Sequence, residues 1–359
     1  MSILITILLI LLAFWLLGLW FRSGEDLSAW DHPVDPSACE SFSRPGGPSA
    51  AHQEASATVH GQGKELNQVP FKARLGKMRE FMDSLSDGRE FNTEFLPVDA
   101  GGVPAEWVLP PGVDGTRRVL YIHGGAFFAG SPKSHRTLTS RLAEGSQAAV
   151  LAIDYRLMPE HKRAAGIEDC RTAYRWILEN GPGGPAPASV VFSGGDSAGG
   201  NLVLALSSWI RDQGLRAPDA VVALSPVVDA THSGPSVKGN MKTDIMLAPM
   251  FSKLLKFPAV LLTWYYVLET RFKPTSPIVS PIFGDLSNLP PTLVHASEAE
   301  ILLDDARRYV NKARAAGSPA YLQTWAGLLH VWQIFNPEVP EALEAFEQID
   351  KFLRSAEAA

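Results

Sequence analysis

The sequence predicts an α/β protein in which a mostly parallel central sheet is covered by helices on both faces. Short apolar runs such as RRVLYI, AAVLAI and ASVVF alternate along the chain with amphipathic segments, whose apolar residues lie three or four positions apart. Strands that are apolar throughout are typical of parallel sheets, because helical crossovers bury both faces. A length of 359 residues, 46% of them hydrophobic, suffices for one large domain with a sizeable core.

The chain begins with an apolar segment that is long enough to cross a membrane. Residues 3–21 read ILITILLILLAFWLLGLWF and carry no charge, and about 20 apolar residues are what a membrane-spanning helix needs. Trp15 and Trp20 suit the membrane interface, and Arg22 follows the segment. The alternative is a cleaved signal peptide, which typically has a basic start, a shorter apolar core and a cleavage site of small residues. We expect a retained single-pass anchor over residues 1–22, and the sequence leaves open on which side of the membrane the rest of the chain lies.

Residues 23–64 differ in composition from the segments on either side. They are rich in Ser, Ala, Gly and Pro and lack a sustained period, so they are interpreted as a flexible tether. The globular domain is expected over residues 65–359. It opens with an amphipathic helix over 69–85, and the strands EFLPVDA and AEWVLP then favour an antiparallel start to the sheet.

Five further helices and three further strands complete the predicted alternation. The helices are SHRTLTSRLAEGS, DCRTAYRWILEN, NLVLALSSWIRDQG, DDARRYVNKARAAG and PEALEAFEQIDKFLRSA, and the strands are AVVALS, TLVHAS and AYLQTW. Residues 230–275 interrupt the alternation and are interpreted, together with residues 65–95, as a helical cap over the carboxyl edge of the sheet.

A second apolar run, FPAVLLTWYYVL at residues 257–268, lies inside this cap. It is too short to span a bilayer and predicts a lid helix packed over a pocket. A second interpretation is that the aromatic residues of the lid, Trp264, Tyr265 and Tyr266, also contact the membrane interface.

Composition and charge argue against several function classes. The formal net charge of -6 argues against a nucleic-acid partner, since phosphate binding needs a basic surface. Cys39 and Cys170 lie far apart, form no metal-binding spacing and are expected to be free thiols. No metal or organic cofactor is expected. The sequence leaves the oligomeric state open, including a homodimer.

The stretch SGGDSAGGNL, residues 193–202, places one central serine among glycine and alanine residues. The sequence GDSAG, centred on Ser197, fits G-x-S-x-G, follows a predicted strand and precedes a predicted helix, which is the setting of a nucleophile elbow. A phosphate-binding loop would instead need G-x-x-x-x-G-K-[ST], which is absent here. A glycine-rich packing turn without chemistry would come without catalytic partners elsewhere in the chain.

A second glycine turn, His123-Gly124-Gly125-Ala126, follows the strand RRVLYI. Glycine in such a turn lets backbone N–H groups approach the negative oxygen of a tetrahedral intermediate. We predict that the N–H groups of Gly124, Gly125 and Ala198 form an oxyanion hole, and that His123 braces the loop.

The general base is selected among nine histidines by chain order. In folds with this elbow the order is serine, acid, histidine, which selects His330 after the last predicted strand. The acid then follows the strand TLVHAS, where Glu298, Glu300, Asp304 and Asp305 are candidates. Asp304 and Asp305 suit the first turn of the next helix, whereas Glu300 lies in the loop, where a carboxylate orients an imidazole. Glu300 is therefore the preferred acid.

From about residue 70 to its end, the chain resembles the hormone-sensitive-lipase-like esterases and lipases of the α/β-hydrolase superfamily. The resemblance rests on YIHGGAFFAGSPKSHR, DYRLMPEH, GDSAGGN, SPIVSPIFGDLSNLPP and EILLDD, which occur in the family's order. The chain departs from the family at three places. Glu300 stands where the acid motif D-x-L-x-D usually begins, Ala126 replaces a third glycine, and KRAAGIED replaces an FPAA-type sequence. The resemblance implies an α/β-hydrolase fold and ester hydrolysis.

These observations predict a serine carboxylic-ester hydrolase that acts on short- to medium-chain acyl esters. Ser197 is expected to attack the ester, His330 to transfer its proton and Glu300 to orient the imidazole. The alternative is a non-catalytic small-molecule-binding protein on the same scaffold, against which His330 and the intact elbow argue. GDSAGG is also similar to the GDSGG of trypsin-like proteases, but those are β proteins in which the histidine comes first.

Overall fold

The computed structural model describes residues 2–357, which form a nine-stranded sheet, a separate two-stranded hairpin over residues 180–185 and the surrounding helices. The strands are β1 (Cys39–Phe42), β2 (Glu94–Asp99), β3 (Pro104–Leu109), β4 (Arg117–Ile122), β5 (Ala149–Ile153), β6 (Asn180–Gly181), β7 (Gly184–Pro185), β8 (Val190–Asp196), β9 (Ala220–Leu224), β10 (Thr292–Ser297) and β11 (Ala320–Trp325).

The large sheet has the strand order β1-β11-β10-β9-β8-β4-β5-β3-β2. β2 pairs antiparallel with β3, β3 pairs antiparallel with β5, and every other pair in this sheet is parallel. The prediction of an antiparallel start followed by a parallel sheet is confirmed. In β4, Val119 and Tyr121 belong to the core on one face, and Leu120 and Ile122 to the core on the other. This burial on both faces explains why the strand is apolar throughout.

Helices cover both faces of the sheet, as predicted. The helices are α1 (Ser2–Arg22), α2 (Ala50–Gln68), α3 (Phe71–Ser84), α4 (Arg136–Ser146), α5 (Arg163–Glu179), α6 (Ala198–Asp212), α7 (Ser236–Gly239), α8 (Ala248–Leu254), α9 (Ala259–Thr270), α10 (Leu303–Ala315) and α11 (Pro340–Glu357). On one face of the sheet α4 and α11 contribute Leu138 and Phe346 to the core, and on the other α5, α6 and α10 contribute Tyr174, Leu202 and Tyr309.

Helix α1 is the one helix within residues 2–357 that is long and apolar enough to cross a membrane. Its 21 residues extend over about 31 Å at ~1.5 Å per residue, and nearly all of its apolar side chains are exposed. This length and composition fit a membrane anchor, and they fit a signal sequence equally well.

The interpretation of residues 23–64 as a flexible tether is wrong. Strand β1 pairs in parallel with β11 at the edge of the sheet, and α2 begins at Ala50, where the Ser49 hydroxyl accepts a hydrogen bond from the His52 N–H at 3.1 Å. Between α1 and β1, Arg308 of α10 donates to both carboxylate oxygens of Asp31 at 2.5 and 2.9 Å. Strand β1 and the contact of Asp31 depend on partners that are distant in sequence, so a local periodicity does not reveal them.

The helical layer over the carboxyl edge of the sheet begins earlier than the predicted residue 65. Helix α3 contacts the loops that follow β4 and β5, because Arg79 donates to the Phe128 carbonyl at 2.8 Å and to the Met158 carbonyl at 3.1 Å. Helix α2 also belongs to this layer, since His52 Nε2 accepts a hydrogen bond from the Leu329 N–H at 2.9 Å, in the loop after β11.

The apolar run inside the cap forms helix α9, Ala259–Thr270. Its three consecutive aromatic residues point in different directions: Trp264 stacks on Phe14 of α1, Tyr265 is exposed, and Tyr266 packs against the core. The interpretation that all three contact a membrane interface is therefore wrong for Tyr266.

Candidate active site

Ser197 lies at the sharp turn between β8 and α6, with φ 52° and ψ -114°. A positive φ is unusual for a residue with a side chain and indicates local strain. The glycines around it are required by close backbone contacts, because a Cβ on Gly195 would lie 2.6 Å from the Gly199 carbonyl oxygen and one on Gly199 would collide with the Ile122 carbonyl. This turn presents the half-buried Ser197 hydroxyl at the carboxyl end of the sheet.

The structure brings Ser197, His330 and Glu300 together. His330 Nε2 lies 2.8 Å from Ser197 Oγ, and His330 Nδ1 lies 2.6 Å from Glu300 Oε2. His330 and Glu300 are both buried, so their interaction is little screened by water. The carboxylate holds the proton on Nδ1 and leaves Nε2 free to accept a proton from the serine.

The carboxylate of Glu300 is itself held in place. Its Oε1 accepts hydrogen bonds from the Ser297 N–H at 2.8 Å and from the Ser225 hydroxyl at 3.0 Å. Asn240 of the loop after α7 donates to the backbone carbonyls of Glu298 and Glu300, at 2.9 and 2.8 Å. These bonds direct Oε2 of Glu300 towards His330.

The other three candidate acids do not contact His330. Glu298 accepts from the Thr324 hydroxyl at 3.0 Å. Asp304 accepts from the Ser236 N–H at 2.5 Å. Asp305 accepts from the N–H groups of Val228 and Asp229 at 2.7 and 3.0 Å. Each of these acids accepts hydrogen bonds from a neighbouring strand or loop. Of the four candidates, only Glu300 contacts the imidazole of His330.

The surroundings of His330 raise its pKa above the ordinary value of 6.5. Burial, the largest effect, lowers the pKa, but the hydrogen bond and negative charge of Glu300 and the charges of Asp244 and Asp196 outweigh it. An imidazole of raised pKa is a stronger base, which suits the removal of a proton from a serine hydroxyl.

The prediction that the Gly124 N–H binds an oxyanion is wrong. This N–H donates to Asp196 Oδ1 at 3.1 Å, and so it is already used within the protein. The N–H groups of Gly125, Ala126 and Ala198 have no hydrogen-bond acceptor among residues 2–357. Ala126 has φ 55°, a left-handed conformation in the position where the family often has a third glycine. Ala126 is thus a candidate oxyanion donor that the sequence prediction does not include.

Asp196, the second residue of GDSAG, is a further residue whose role was not predicted. Its buried carboxylate accepts hydrogen bonds from the Tyr121 hydroxyl at 2.8 Å and the Gly124 N–H, and it lies 3.3 Å from His135 Nε2. Burial raises the pKa of this carboxyl, but His135 and the hydrogen bond from Tyr121 lower it by more. The pKa of Asp196 therefore lies below its usual value. Asp196 therefore connects the turn that carries Ser197 to the glycine turn after β4.

His123 braces the glycine turn rather than acting as a base. Its ring stacks on Tyr155 with centroids 4.4 Å apart, and its Nδ1 lies 2.8 Å from the Gly124 carbonyl oxygen, to which it donates. Burial is the main cause that lowers its pKa to about 3, so the imidazole is neutral at physiological pH.

Known proteins share this scaffold. A family model described as alpha/beta hydrolase fold matches residues 119–334. The chain is 39% identical over 259 residues to an acetyl-hydrolase of Streptomyces hygroscopicus, an alignment that covers 72% of this chain and 82% of the relative. It is 36% identical over 273 residues to the carboxylesterase/phospholipase LipF of Mycobacterium tuberculosis, covering 73% of this chain and 69% of that one.

A comparison with solved structures also finds esterases. A crystal structure of an esterase from the bacterial hormone-sensitive lipase family superposes with a TM-score of 0.72 at 35% sequence identity, and the match covers 84% of this chain and 98% of that one. The sequence identity, the coverage and the shared strand–turn–helix architecture agree. The chain therefore belongs to the α/β-hydrolase fold family, as one of its hormone-sensitive-lipase-type esterases.

Proposed function

We propose that Ser197, His330 and Glu300 form the catalytic triad of a membrane-anchored serine hydrolase that cleaves short- to medium-chain acyl esters. The observation that carries this proposal is the continuous chain of contacts from Ser197 Oγ to His330 Nε2 at 2.8 Å and from His330 Nδ1 to Glu300 Oε2 at 2.6 Å. A nucleophile, a base and a group that orients the base are then in the order that ester hydrolysis requires.

In the acylation half-reaction, Ser197 Oγ attacks the ester carbonyl carbon while its proton passes to His330 Nε2. The imidazolium that forms is stabilised by the Glu300 carboxylate. When the tetrahedral intermediate collapses, the bond to the alkoxy oxygen breaks and His330 returns the proton to that oxygen. The alcohol leaves, and the acyl group remains as an ester of Ser197.

Deacylation repeats these steps with water as the nucleophile. His330 Nε2 takes a proton from the water as its oxygen attacks the acyl carbon, and it then returns a proton to Ser197 Oγ. The carboxylic acid is released and the resting serine is restored. No electron acceptor or donor is needed at any step.

The N–H groups of Gly125, Ala126 and Ala198 form the oxyanion hole in this proposal. Preorganised backbone donors stabilise the negative oxygen of both tetrahedral intermediates, and one such donor typically contributes about 10²–10³-fold in kcat. Asp196 supports the hole indirectly, because its contact with Gly124 fixes the turn from which Gly125 and Ala126 follow.

The substrate class is supported by the named relatives. The Streptomyces relative is an acetyl-hydrolase by name, and acetyl is among the shortest acyl groups. LipF is named a carboxylesterase/phospholipase. The name of LipF describes the hydrolysis of carboxylic esters, which is the reaction that the triad performs in this proposal.

The membrane anchor is supported by α1. Its apolar surface is exposed to the surroundings of the protein along almost its whole length. An exposed apolar helix of this size is expected to bury its surface in lipid.

The catalytic proposal is tested by replacing each of two serines, Ser197 in the turn after β8 and Ser193 within β8, and comparing the esterase activity of the two variants. Ser197→Ala should lower kcat at least about 10⁴-fold on a p-nitrophenyl ester series from acetate to palmitate, because the triad acts as a unit. Ser193→Ala is the matched control, since Ser193 lies four positions earlier in β8 and does not contact His330.

Retention of esterase activity by Ser197→Ala would refute the assignment. If the wild-type protein binds the esters but does not turn them over, the chain is a binding protein on the same scaffold. Maximal kcat/KM on the palmitate ester would contradict the proposed chain-length preference but not the triad.

A further inference from the structure

The carboxyl half of α1 packs on the cap helix α9 through a specific aromatic contact. The Trp264 ring stacks on Phe14, with centroids 4.6 Å apart, and meets the edge of Phe21 at 5.2 Å. Gly18 lies between these two phenylalanines on the same face of α1 and leaves the space that Trp264 occupies. An added Cβ on Gly18 would lie 2.9 Å from Trp264 Nε1, and this nitrogen donates to the Phe14 carbonyl at 3.1 Å.

Three further contacts join the end of α1 and the next residue to the cap. The Lys273 ammonium lies 3.1 Å from the centroid of the Trp20 ring, and the Thr275 hydroxyl donates to the Ser23 carbonyl at 3.1 Å. Arg22 also donates to the Thr231 carbonyl at 2.6 Å. Helix α1 is thus fixed to the globular body from its middle to its end, without an intervening tether.

The position of these contacts along α1 sets the depth of α9 in a membrane. With Arg22 at the level of the head groups, Gly18 lies about 6 Å and Phe14 about 12 Å further along the helix axis. One leaflet of the hydrocarbon core is about 15 Å thick. The segment of α9 that packs on Phe14 and Gly18 therefore lies within the hydrocarbon region of one leaflet.

Helix α9 has an exposed apolar face beside the one that contacts α1. Leu261, Tyr265 and Leu268 are spaced four and three residues apart, so they share one side of the helix, and they are 44%, 60% and 54% exposed. Three exposed apolar residues of the preceding segment, Leu254, Leu255 and Phe257, line a common cavity with Tyr265 and so adjoin this side of α9. We name the combined surface the cap apolar face: Leu254, Leu255, Phe257, Leu261, Tyr265 and Leu268.

We propose that α1 and α9 are embedded in the membrane as one unit, and that the cap apolar face is buried among the acyl chains of the leaflet around the carboxyl half of α1. The proposal rests on the membrane anchor of the proposed function. A lipid surface fits this face because α9 is held against the membrane-spanning helix and an apolar surface at that depth gains free energy from contact with lipid. Tyr265 suits the interfacial part of the leaflet.

The test uses spin labels on the full-length protein in phosphatidylcholine–phosphatidylglycerol vesicles. Single cysteines replace Tyr265 on the cap apolar face, Leu11 in the middle of α1, and Tyr321, an exposed tyrosine near the start of β11. The background carries Cys39→Ser and Cys170→Ala, which remove the two free cysteines. Collision with oxygen, which concentrates in lipid, is compared with collision with a water-soluble nickel chelate.

We expect the labels at Leu11 and Tyr265 to collide more with oxygen and the label at Tyr321 to collide more with nickel. A lipid-exposed label at Leu11 with a water-exposed label at Tyr265 would overturn this inference and leave the anchor intact. A water-exposed label at Leu11 would overturn the anchor and this inference together. Esterase turnover, measured on the same samples, reports on the triad independently.

A substitution at the contact tests whether α1 positions α9. Gly18→Leu places a side chain where Val260 Cγ1 and Trp264 now lie, 2.5 and 2.9 Å from an added Cβ, and should shift the Tyr265 label towards water. Gly61→Leu is the matched control, because an added Cβ on this glycine of α2 meets no described atom within 4 Å. An unchanged depth of the Tyr265 label in Gly18→Leu would overturn the inference.

Discussion

Replacing Glu300 by glutamine should invert the tautomer of His330. Oε1 of Glu300 accepts from the Ser297 N–H and the Ser225 hydroxyl, so the glutamine oxygen should occupy that position. Its NH₂ group then takes the place of Oε2, 2.6 Å from His330 Nδ1. Because an amide NH₂ only donates, Nδ1 must accept and the ring proton moves to Nε2, which can no longer take the proton of Ser197.

The expected loss is about 10⁴-fold in kcat, the order found when the triad acid is replaced by its amide. This corresponds to about 5.5 kcal/mol of transition-state stabilisation. The acid limb of the kcat/KM profile should also move to lower pH, because burial lowers the pKa of His330 and Glu300 no longer opposes it. Glu300→Asp retains the charge and should lose less activity.

The assay is the pH profile of kcat/KM on a soluble acetate ester, with thermal unfolding as a check on folding. Glu298→Gln is the matched control, since it neutralises an exposed carboxylate two residues away that binds Thr324 rather than His330. A loss of less than tenfold in Glu300→Gln, or an equal loss in Glu298→Gln, would show that Glu300 does not hold the tautomer of His330.

The pKa of His330, the contacts of Asp196 and the ion pairs of Arg308 each give a further prediction. In the wild-type protein, kcat/KM should rise with pH through a limb above pH 6.5, because the base must be neutral and the pKa of His330 is raised; a limb below pH 6 would contradict this. Asp196→Asn should lower the free energy of unfolding by about 1–3 kcal/mol and reduce kcat, since the carboxylate joins Tyr121 and Gly124; unchanged denaturation and turnover would speak against it. Arg308→Met should destabilise the protein by about 3–5 kcal/mol, because the buried Asp229 carboxylate loses the cation that lies 3.6 Å away. It should also make the segment after α1 sensitive to limited proteolysis, because the bonds to Asp31 are lost; equal proteolysis of mutant and wild type would count against that role.

Much of the fold could be predicted because its strands are buried on both faces. Runs such as VLYI in β4 and AVLAI in β5 are continuous apolar segments, and this pattern follows directly from a parallel sheet between two helical layers. Strand β1 was missed because its four residues, CESF, are intermediate or exposed and obtain their order from pairing with β11. That pairing joins positions about 280 residues apart, which no local pattern can indicate.

The candidate site was predictable where residue type and chain order decide it. Ser197 and His330 were found from the elbow motif and from the order of the triad, and the structure places their side chains in contact. The N–H groups of the glycine turn are harder to assign from the sequence, because the direction of a backbone N–H depends on the φ and ψ angles of the turn. The carboxylate of Asp196 takes the Gly124 N–H, and the positive φ of Ala126 is not visible in its side-chain type.

Labelling of the wild-type protein with a fluorophosphonate, followed by peptide mass spectrometry of the modified residue, tests directly whether Ser197 is the nucleophile. A triad with an activated serine predicts one stoichiometric label on Ser197, with a labelling rate that follows the ionisation of His330. A label on any other serine, or no label on a protein that still hydrolyses esters, would contradict the account.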